Sequence, residues 1–389
     1  MTSGQRASLR LTSVAVVIGL LGACAVLIVL VEAPGHSAAV LGQGHPARPR
    51  RPSQDEMAPA GTTAPALPAA TPAGGMGLRL LSEAAAACES VPFHGVQIST
   101  WFGTASQTAS VIQVWHRPDG QMLVQATPTG TSPAPPGPAS TDVLAGQDDV
   151  LSVTTPLLAL MRRNYVITYA GRSAVDGRPA LLVDVRHPDG GLAARFWIDA
   201  ATKLPLRREL LVDGGRILSE DAFLSLSVGA GQLHGMPSAA ARPWTGKLTP
   251  AGRTALDAQG WPLPGDTVSG LSLFQSTTAA TESGKVVELS YSDGLSVVSV
   301  FVQRGVLPRS LPGWRHFRAS DGSVVYAIDP DDRSLVWSSG GFVYTMISDA
   351  PPAMVDQVVV SLPHHSSLDF WDRMGRGFHR LASWANPFR

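Results

Sequence analysis

The side chains that could catalyse a reaction or bind a metal ion are scattered through the 389 residues of this chain. The sequence contains no G-x-S-x-G nucleophile elbow, H-E-x-x-H zinc site, P-loop or C-x-x-C pair. His364 and His365 are adjacent, but two neighbouring histidines without a carboxylate or thiolate nearby make a poor metal site. We therefore predict no catalytic residue, no metal ion and no cofactor, and we do not expect an enzyme.

Glycine and aspartate, which often build phosphate loops and acid–base pairs, are mostly used here for turns and a linker. The glycine cluster at 229–235 has the wrong final spacing for a dinucleotide-binding loop, and no β-α-β pattern surrounds it. Asp-Gly pairs at 176–177, 189–190, 213–214 and 293–294 stand between strand-like segments, where glycine supplies a positive φ. Few carboxylates therefore remain for catalysis.

The elements that carry these turns are clearest in residues 196–223. Apolar and polar residues alternate there with the period of a β-strand, as in Phe196 and Ile198 against Trp197 and Asp199. The segment predicts a strand, a turn, a second strand, a tight turn at Asp213-Gly214 and a third strand.

The whole chain is predicted as an α+β protein of two domains. Repeated hairpins after a helix predict a curved antiparallel sheet with a packed helix over 78–229. A Gly/Ala/Pro-rich linker over 230–260 leads to a smaller mixed β/α domain at 261–363, which ends in a helix that starts at Pro351-Pro352.

Apolar side chains on the first domain's strands are the candidates for ligand binding. One curved sheet with one helix gives limited cover, so several aromatic residues are predicted to line a groove, with core packing as the alternative for each residue. The groove candidates are Phe93, Trp101, Phe102, Trp115, Met122, Phe196 and Trp197.

The N-terminal region predicts a location at a membrane. Residues 14–31 are apolar and uncharged, and at about 1.5 Å per residue they nearly cross a hydrocarbon core of about 30 Å. We predict a transmembrane anchor or signal segment here, or lipidation at Cys24, which follows a lipobox-like Leu-Gly-Ala. Residues 1–13 would then be cytoplasmic, and the bulk of the single-pass protein would lie outside the cytoplasm.

Two further segments and the charge balance complete the organisation. Residues 32–77 are predicted as a disordered Pro/Ala-rich spacer, and 364–389 as a tail that forms either an amphipathic helix or no regular structure. Lys+Arg and Asp+Glu balance at 30 each, so no overall positive field attracts nucleic acid, and no nucleic-acid partner is expected.

The chain resembles the MucB/RseB family of exported sigma-factor regulators, whose first domain is similar to the lipoprotein carriers LolA and LolB. In the first domain the resemblance rests on a W-x-D-x-x-T-x-L-P-x-R pattern, formed by Trp197, Asp199, Thr202, Leu204, Pro205 and Arg207. In the second domain it rests on the YSDGL strand, with Tyr291, Asp293 and Gly294, and on the helix near 351–362. These residues are expected to be scaffold.

The resemblance implies that the protein binds the extracytoplasmic part of a membrane anti-sigma factor and so restrains an envelope-stress sigma factor. It also implies release by an amphiphilic ligand, such as a lipid, in the first domain. The alternative is a lipid or lipoprotein carrier of the cell envelope, which would need a deep apolar cavity and little use for a second domain.

Overall fold

In a computed structural model the described residues of the chain form two antiparallel sheets with four α-helices. The structure describes residues 74–103, 107–117, 122–127, 143–146, 151–233, 236, 244–281, 284–308, 311, 314–318, 323–327 and 333–364. The predicted membrane segment at 14–31, most of the spacer and the tail beyond His364 lie outside these ranges. Within the described residues, no helix is both long and apolar enough to cross a membrane.

The first domain is a nine-stranded antiparallel sheet covered by two helices. Its strands lie in the order β4-β3-β2-β1-β9-β8-β7-β6-β5. The elements are α1 (Gly74–Ser90), β1 (Phe93–Phe102), β2 (Gln107–His116), β3 (Met122–Thr127), β4 (Val143–Gly146), α2 (Thr155–Asn164), β5 (Val166–Val175), β6 (Arg178–Arg186), β7 (Leu192–Asp199), β8 (Pro205–Val212) and β9 (Arg216–Val228).

Two turns between these strands lie where the sequence predicts them. Asp176-Gly177 joins β5 to β6, and both residues have a positive φ of 47° and 77°. Gly214 and Gly215, at 80° and 76°, join β8 to β9. The prediction of strand, turn, strand, turn and strand over 196–223 is confirmed.

Helix α1 lies directly on the backbone of edge strand β5. A Cβ added at Gly77 would lie 2.6 Å from the carbonyl carbon of Thr168, so only glycine permits this close approach. Leu80, Leu81 and Ala84 of the helix, each at most 3% exposed, pack against Phe196 in one apolar cluster. This helix starts at Gly74, a few residues before the predicted domain boundary at 78.

The second domain is another nine-stranded antiparallel sheet, in the order β10-β12-β13-β14-β18-β17-β16-β15, with β11 paired to β12. Its elements are β10 (Trp244–Lys247), α3 (Pro250–Ala258), β11 (Thr267–Val268), β12 (Leu271–Thr281), β13 (Gly284–Ser292), β14 (Val297–Arg304), β15 (Arg315–Arg318), β16 (Val324–Ala327), β17 (Ser334–Ser339), β18 (Phe342–Ser348) and α4 (Pro352–Ser361). The α+β class, a curved antiparallel sheet with a packed helix followed by a mixed β/α domain, is confirmed.

The predicted linker at 230–260 needs correction in its second half. Strand β10 pairs with β12 of the second sheet, so it belongs to that domain. Helix α3 begins at Pro250, capped by the Thr249 hydroxyl that accepts a hydrogen bond from the Gly252 amide. The sequence here is poor in apolar residues, but Leu256 is 4% exposed in the core, and Arg253 of the helix contacts Asp266 and the Pro264 carbonyl.

The second domain's core is a densely packed aromatic and aliphatic layer under α4. The rings of Trp337 and Tyr344 stack with their centroids 5.4 Å apart. His364 also stacks on Trp337, with the ring centroids 4.9 Å apart, and contacts the Ser323 hydroxyl. The domain therefore includes His364, which was predicted to open the tail.

Candidate functional site

The resemblance motif builds the turn between β7 and β8. The buried Asp199 carboxylate accepts hydrogen bonds from the amides of Ala201 and Thr202, at 2.8 and 3.0 Å, and from Arg178 at 3.2 Å. The Thr202 hydroxyl lies 3.4 Å from the Leu204 amide, which places Leu204 in the core at 1% exposure. Pro205, also buried, then opens β8. These residues hold a turn, which agrees with a scaffold role.

Trp197 and Arg207 lie on the face of the sheet opposite α1. Phe196 packs under α1, and successive strand residues point to opposite faces, so Trp197 points away from the helices. The Arg207 guanidinium carbon lies 4.9 Å from the centre of the Trp197 ring, and its nitrogens contact Glu209 at 2.6 Å and Glu220 at 2.9 Å. The two side chains form a partly exposed cation–π pair on the outer face, and Arg207 is also hydrogen-bonded to the two glutamates.

The groove candidates are mostly enclosed by protein. Five of them are only 2–6% exposed, and the other two, Phe102 and Trp197, are partly exposed. Phe93 and Met122 pack together in one apolar cluster, Phe196 lies in the cluster under α1, and Trp115 stacks on His94 at 4.9 Å. In this conformation a ligand would reach these five side chains only if covering elements moved. The open groove therefore stays a prediction.

Trp101, the remaining buried groove candidate, is covered by a residue that the sequence did not indicate. Its ring is 3% exposed and lies under a side chain of the second domain, with the Arg333 guanidinium carbon 4.7 Å from the ring centre. Among the described residues, its indole nitrogen has no hydrogen-bond partner. Trp101 therefore belongs to a contact between the domains.

The YSDGL segment forms the centre of that interdomain contact. Tyr291 stays in the second domain's core, where its hydroxyl donates to the Gly265 carbonyl at 2.8 Å. The next residues leave β13 and reach α2: the Tyr165 hydroxyl donates to the Asp293 carboxylate at 2.7 Å, and the Asn164 amide donates to the Asp293 carbonyl at 2.7 Å. Burial and the neighbouring Asp293 charge raise the pKa of Tyr165, which keeps the phenol protonated as the donor.

Gly294 and Leu295 complete the contact. Gly294 has a φ of 107°, and a Cβ added there would lie 2.2 Å from the Met161 amide nitrogen. Leu295 is 5% exposed and belongs to the first domain's apolar cluster, with Leu158, Met161 and Phe196. A leucine from the second domain thus completes the core of the first.

A polar row forms a second contact between the domains. The Asp221 carboxylate is buried and contacts both the Arg208 guanidinium, at 2.8 Å, and the Ser99 hydroxyl. These three residues are cross-strand neighbours, and Arg208 lies opposite Phe196 on the next strand. Because Phe196 faces the helices, this row lies on the same face of the sheet. The Asp349 carboxylate of the second domain lies 3.6 Å from the Arg208 guanidinium in this row.

Asp349 is the titratable group that this contact perturbs most clearly. Burial raises its pKa to about 6, and the nearby carboxylates of Asp221 and Asp293 act in the same direction. Arg208 and the Val297 amide, which donates to Asp349, oppose the shift. The interface therefore contains a carboxyl group that is partly protonated near pH 6.

Sequence reasoning found the turn at Asp293-Gly294 but missed its partners Met161, Asn164 and Tyr165. It also missed Arg208 and Asp349. A signal was present, since a second-domain YSDGL turn carries an apolar residue, Leu295, where hairpin turns normally carry polar ones. Nothing in the sequence, however, indicates which surface receives that leucine.

Two docked antiparallel sheets, the first covered by helices, define a two-domain α+β protein. Residues 138–247, from the region of β4 to β10, match the family model of the MucB/RseB N-terminal domain. The predicted resemblance to the MucB/RseB family is thereby confirmed. No curated protein matches the chain significantly.

Several solved structures are also similar to the chain. The crystal structure of MucB in complex with MucA(peri) shares 20% identity, covers 75% of this chain and 100% of that one, and has a TM-score of 0.41. The MucA/MucB complex of Pseudomonas aeruginosa has 20% identity, the same coverages and a TM-score of 0.42. LprF of Mycobacterium bovis has 15% identity, covers 43% of this chain and 98% of that one, and has a TM-score of 0.27.

Proposed function

We propose that this protein is an extracytoplasmic regulator that binds a membrane anti-sigma factor and so restrains an envelope-stress sigma factor. The observation that carries the proposal is the MucB/RseB family match over 138–247, which includes the Trp197–Arg207 motif. A solved structure to which the chain is similar is described as MucB in complex with MucA(peri). In the proposal the N-terminal segment places the protein at the membrane, and an amphiphilic ligand releases the partner.

The architecture of the described residues supports a regulator over a carrier. A lipid or lipoprotein carrier needs an apolar cavity that is free to load, and little use for a second domain. Here Leu295 of the second domain is buried in the first domain's apolar cluster, and the Asn164 side-chain amide at the end of α2 donates to the Asp293 carbonyl. A protein that must connect ligand binding to release of a partner benefits from such a link between domains.

The test is capture of the partner by the full-length chain. Tagged protein is expressed in its native host, membranes are solubilised in mild detergent, and proteins recovered with the chain are identified by mass spectrometry. The proposal expects an anti-sigma factor whose purified extracytoplasmic part binds the purified chain directly. It also expects deletion of the chain to raise transcription from that sigma factor's promoters.

Two results would decide against the proposal. One is recovery of lipid or lipoproteins with no anti-sigma factor, which favours the carrier. The other is a recovered anti-sigma factor whose extracytoplasmic part shows no direct binding, because the co-recovery would then be indirect.

A further inference from the structure

Three carboxyl groups act on one another where the two domains touch. Asp221 lies on β9 of the first domain, whereas Asp293 follows β13 and Asp349 follows β18 in the second. Arg208 of β8 is the cation beside them, with its guanidinium 2.8 Å from the Asp221 carboxylate and 3.6 Å from the Asp349 carboxylate. When all three carboxyl groups are ionised, negative charge exceeds positive charge in this part of the contact.

Two of the three carboxylates are well supplied with hydrogen-bond donors. Asp221 accepts from two nitrogens of Arg208, at 2.8 and 3.1 Å, and from the Ser99 hydroxyl. Asp293 accepts from two amides of its own turn, each at 2.8 Å, and from the Tyr165 hydroxyl at 2.7 Å. Donors of this kind favour the ionised form of a carboxyl group.

Asp349 has fewer donors among the described residues. One of its oxygens accepts from the Val297 amide, and the other lies 3.6 Å from Arg208, which is too far for a hydrogen bond. A second arginine at the interface, Arg333, lies over the Trp101 ring. The Asp349 side chain is 23% exposed, so water can bring a proton to it. Of the three carboxyl groups, this one is the best placed to take up a proton.

Docking of the domains creates the charge imbalance around Asp349, because Asp221 and Arg208 both belong to the first domain. Burial raises the pKa of Asp349 to about 6, and the Asp221 and Asp293 charges act in the same direction. Arg208 opposes the shift without cancelling it. A solvated aspartate has a pKa of about 3.9. The docked state therefore binds more protons than the separated state between these values, so mild acid favours docking.

We propose that the contact between the two domains is a pH-sensitive switch, in which protonation of Asp349 tightens docking and its ionisation loosens docking. The protonated form places no further negative charge beside Asp221, whereas the ionised form must share Arg208 with it. The switch goes beyond the proposed function, because docking is measurable without any partner. In the proposed extracytoplasmic location, docking would follow the pH outside the cytoplasm.

Hydrogen exchange of the full-length chain at pH 5, 6 and 7 is the test. Each exchange rate is divided by the intrinsic rate at the same pH, so that the remaining change reports on the protein. Helix α2 (residues 155–164) reports docking, and β13 and β14 report folding of the second domain. A pKa raised from 3.8 to about 6 makes docking about tenfold more favourable at pH 5 than at pH 7. Protection of α2 should fall by that factor, with β13 and β14 unchanged.

Variants of single aspartates identify the group responsible. Asp349→Asn stays neutral, so protection of α2 should remain near the wild-type value at pH 5 across the whole range. Asp356→Asn changes an exposed aspartate of α4 in the same domain and is the matched control, which should keep the wild-type pH dependence. Asp221→Asn removes one opposing charge and leaves Arg208 to Asp349, so the midpoint should move to lower pH.

The proposal is overturned if α2 of the wild type is equally protected at pH 5 and pH 7, or if Asp349→Asn keeps the wild-type fall. Loss of the fall in Asp356→Asn would also contradict it. If Asp349→Asn does not fold, as fast exchange throughout β13 and β14 would show, Asp221→Asn decides, and an unmoved midpoint overturns the proposal. Failure to recover an anti-sigma factor would remove the proposed function and leave the switch standing.

Discussion

Gly294→Ala is predicted to undock the two domains without unfolding either. The added Cβ would lie 2.2 Å from the Met161 amide nitrogen and 2.5 Å from its Cα, and both of these atoms belong to the backbone of α2. A Cβ contact below 3.0 Å requires one partner to move. A helix backbone cannot yield as a side chain can, so the turn must withdraw from α2.

The size of the effect follows from the contacts that the withdrawal breaks. Removing the Leu295 side chain from its cluster costs about 1.5–3 kcal/mol. Losing the hydrogen bond from Tyr165 to the Asp293 carboxylate costs about 1.5–3 kcal/mol more. Docking should therefore weaken by at least about 3 kcal/mol, which corresponds to roughly a hundredfold change in the docking equilibrium.

Backbone strain is a separate cost, and the chain offers a control for it. An alanine at positive φ is strained by about 1–2 kcal/mol wherever it occurs. Gly284, at the start of β13, has a φ of 118° with no atom within 4 Å of an added Cβ. Gly284→Ala therefore carries the strain of the same substitution without the clash.

Hydrogen exchange measured by mass spectrometry is the assay. Gly294→Ala should lower protection of α2 by about a hundredfold and leave the second domain's core strands protected. Gly284→Ala should leave α2 as in the wild type. The reasoning is refuted if both variants expose α2 equally, or if Gly294→Ala leaves α2 fully protected.

Three further predictions concern single carboxylate or guanidinium groups. Because the pKa of Asp349 is raised from 3.8 to about 6 in the folded protein, the folded state binds more protons between these values, so stability should fall as pH rises from about 4 to 6 and level off above 6. Asp349→Asn should flatten that slope in urea unfolding measured across this pH range, and an unchanged slope would contradict the assignment. Asp199→Ala removes the acceptor for two turn amides and Arg178, so chemical unfolding should show a loss of about 2–4 kcal/mol; Thr202→Ala, which removes one bond of 3.4 Å, should cost under about 1 kcal/mol. Arg207→Ala should cost about 1 kcal/mol, because its contacts with Trp197, Glu209 and Glu220 are partly exposed; a loss above about 3 kcal/mol would show that the outer-face pair is structurally essential.

The local elements were predictable because their signals are local. Alternation in 196–223 and the Asp-Gly pairs specify strands and turns within a few residues of each other, and the structure has them. The same reasoning failed for β10 and α3, since a strand such as Trp244–Lys247 is too short to show a period. Its place depends on pairing with β12, some thirty residues later, which is a tertiary contact.

The aromatic residues show the limit of composition as a guide to a site. Phe93, Met122 and Phe196 are predicted to line a groove because a sheet with one helix offers too little cover to bury them. Phe196 is covered by α1, α2 and Leu295 of the second domain, whereas Phe93 and Met122 pack with Ala87 of α1 and with Leu151, which precedes α2. Trp101, for example, is covered by Arg333, more than two hundred residues away in sequence. Burial supplied by another domain leaves no periodic trace in the strand that it covers.

The same argument explains why the domain contact is concentrated at Asp293-Gly294-Leu295. A hairpin turn normally faces water, so polar and glycine residues suffice there. This turn combines a carboxylate that closes it, a glycine that allows a helix backbone to approach, and a leucine that enters another domain's core. Each residue has an ordinary explanation alone, and only their joint contact with α2 distinguishes the turn from the others. Separation of the domains must break all three contacts together.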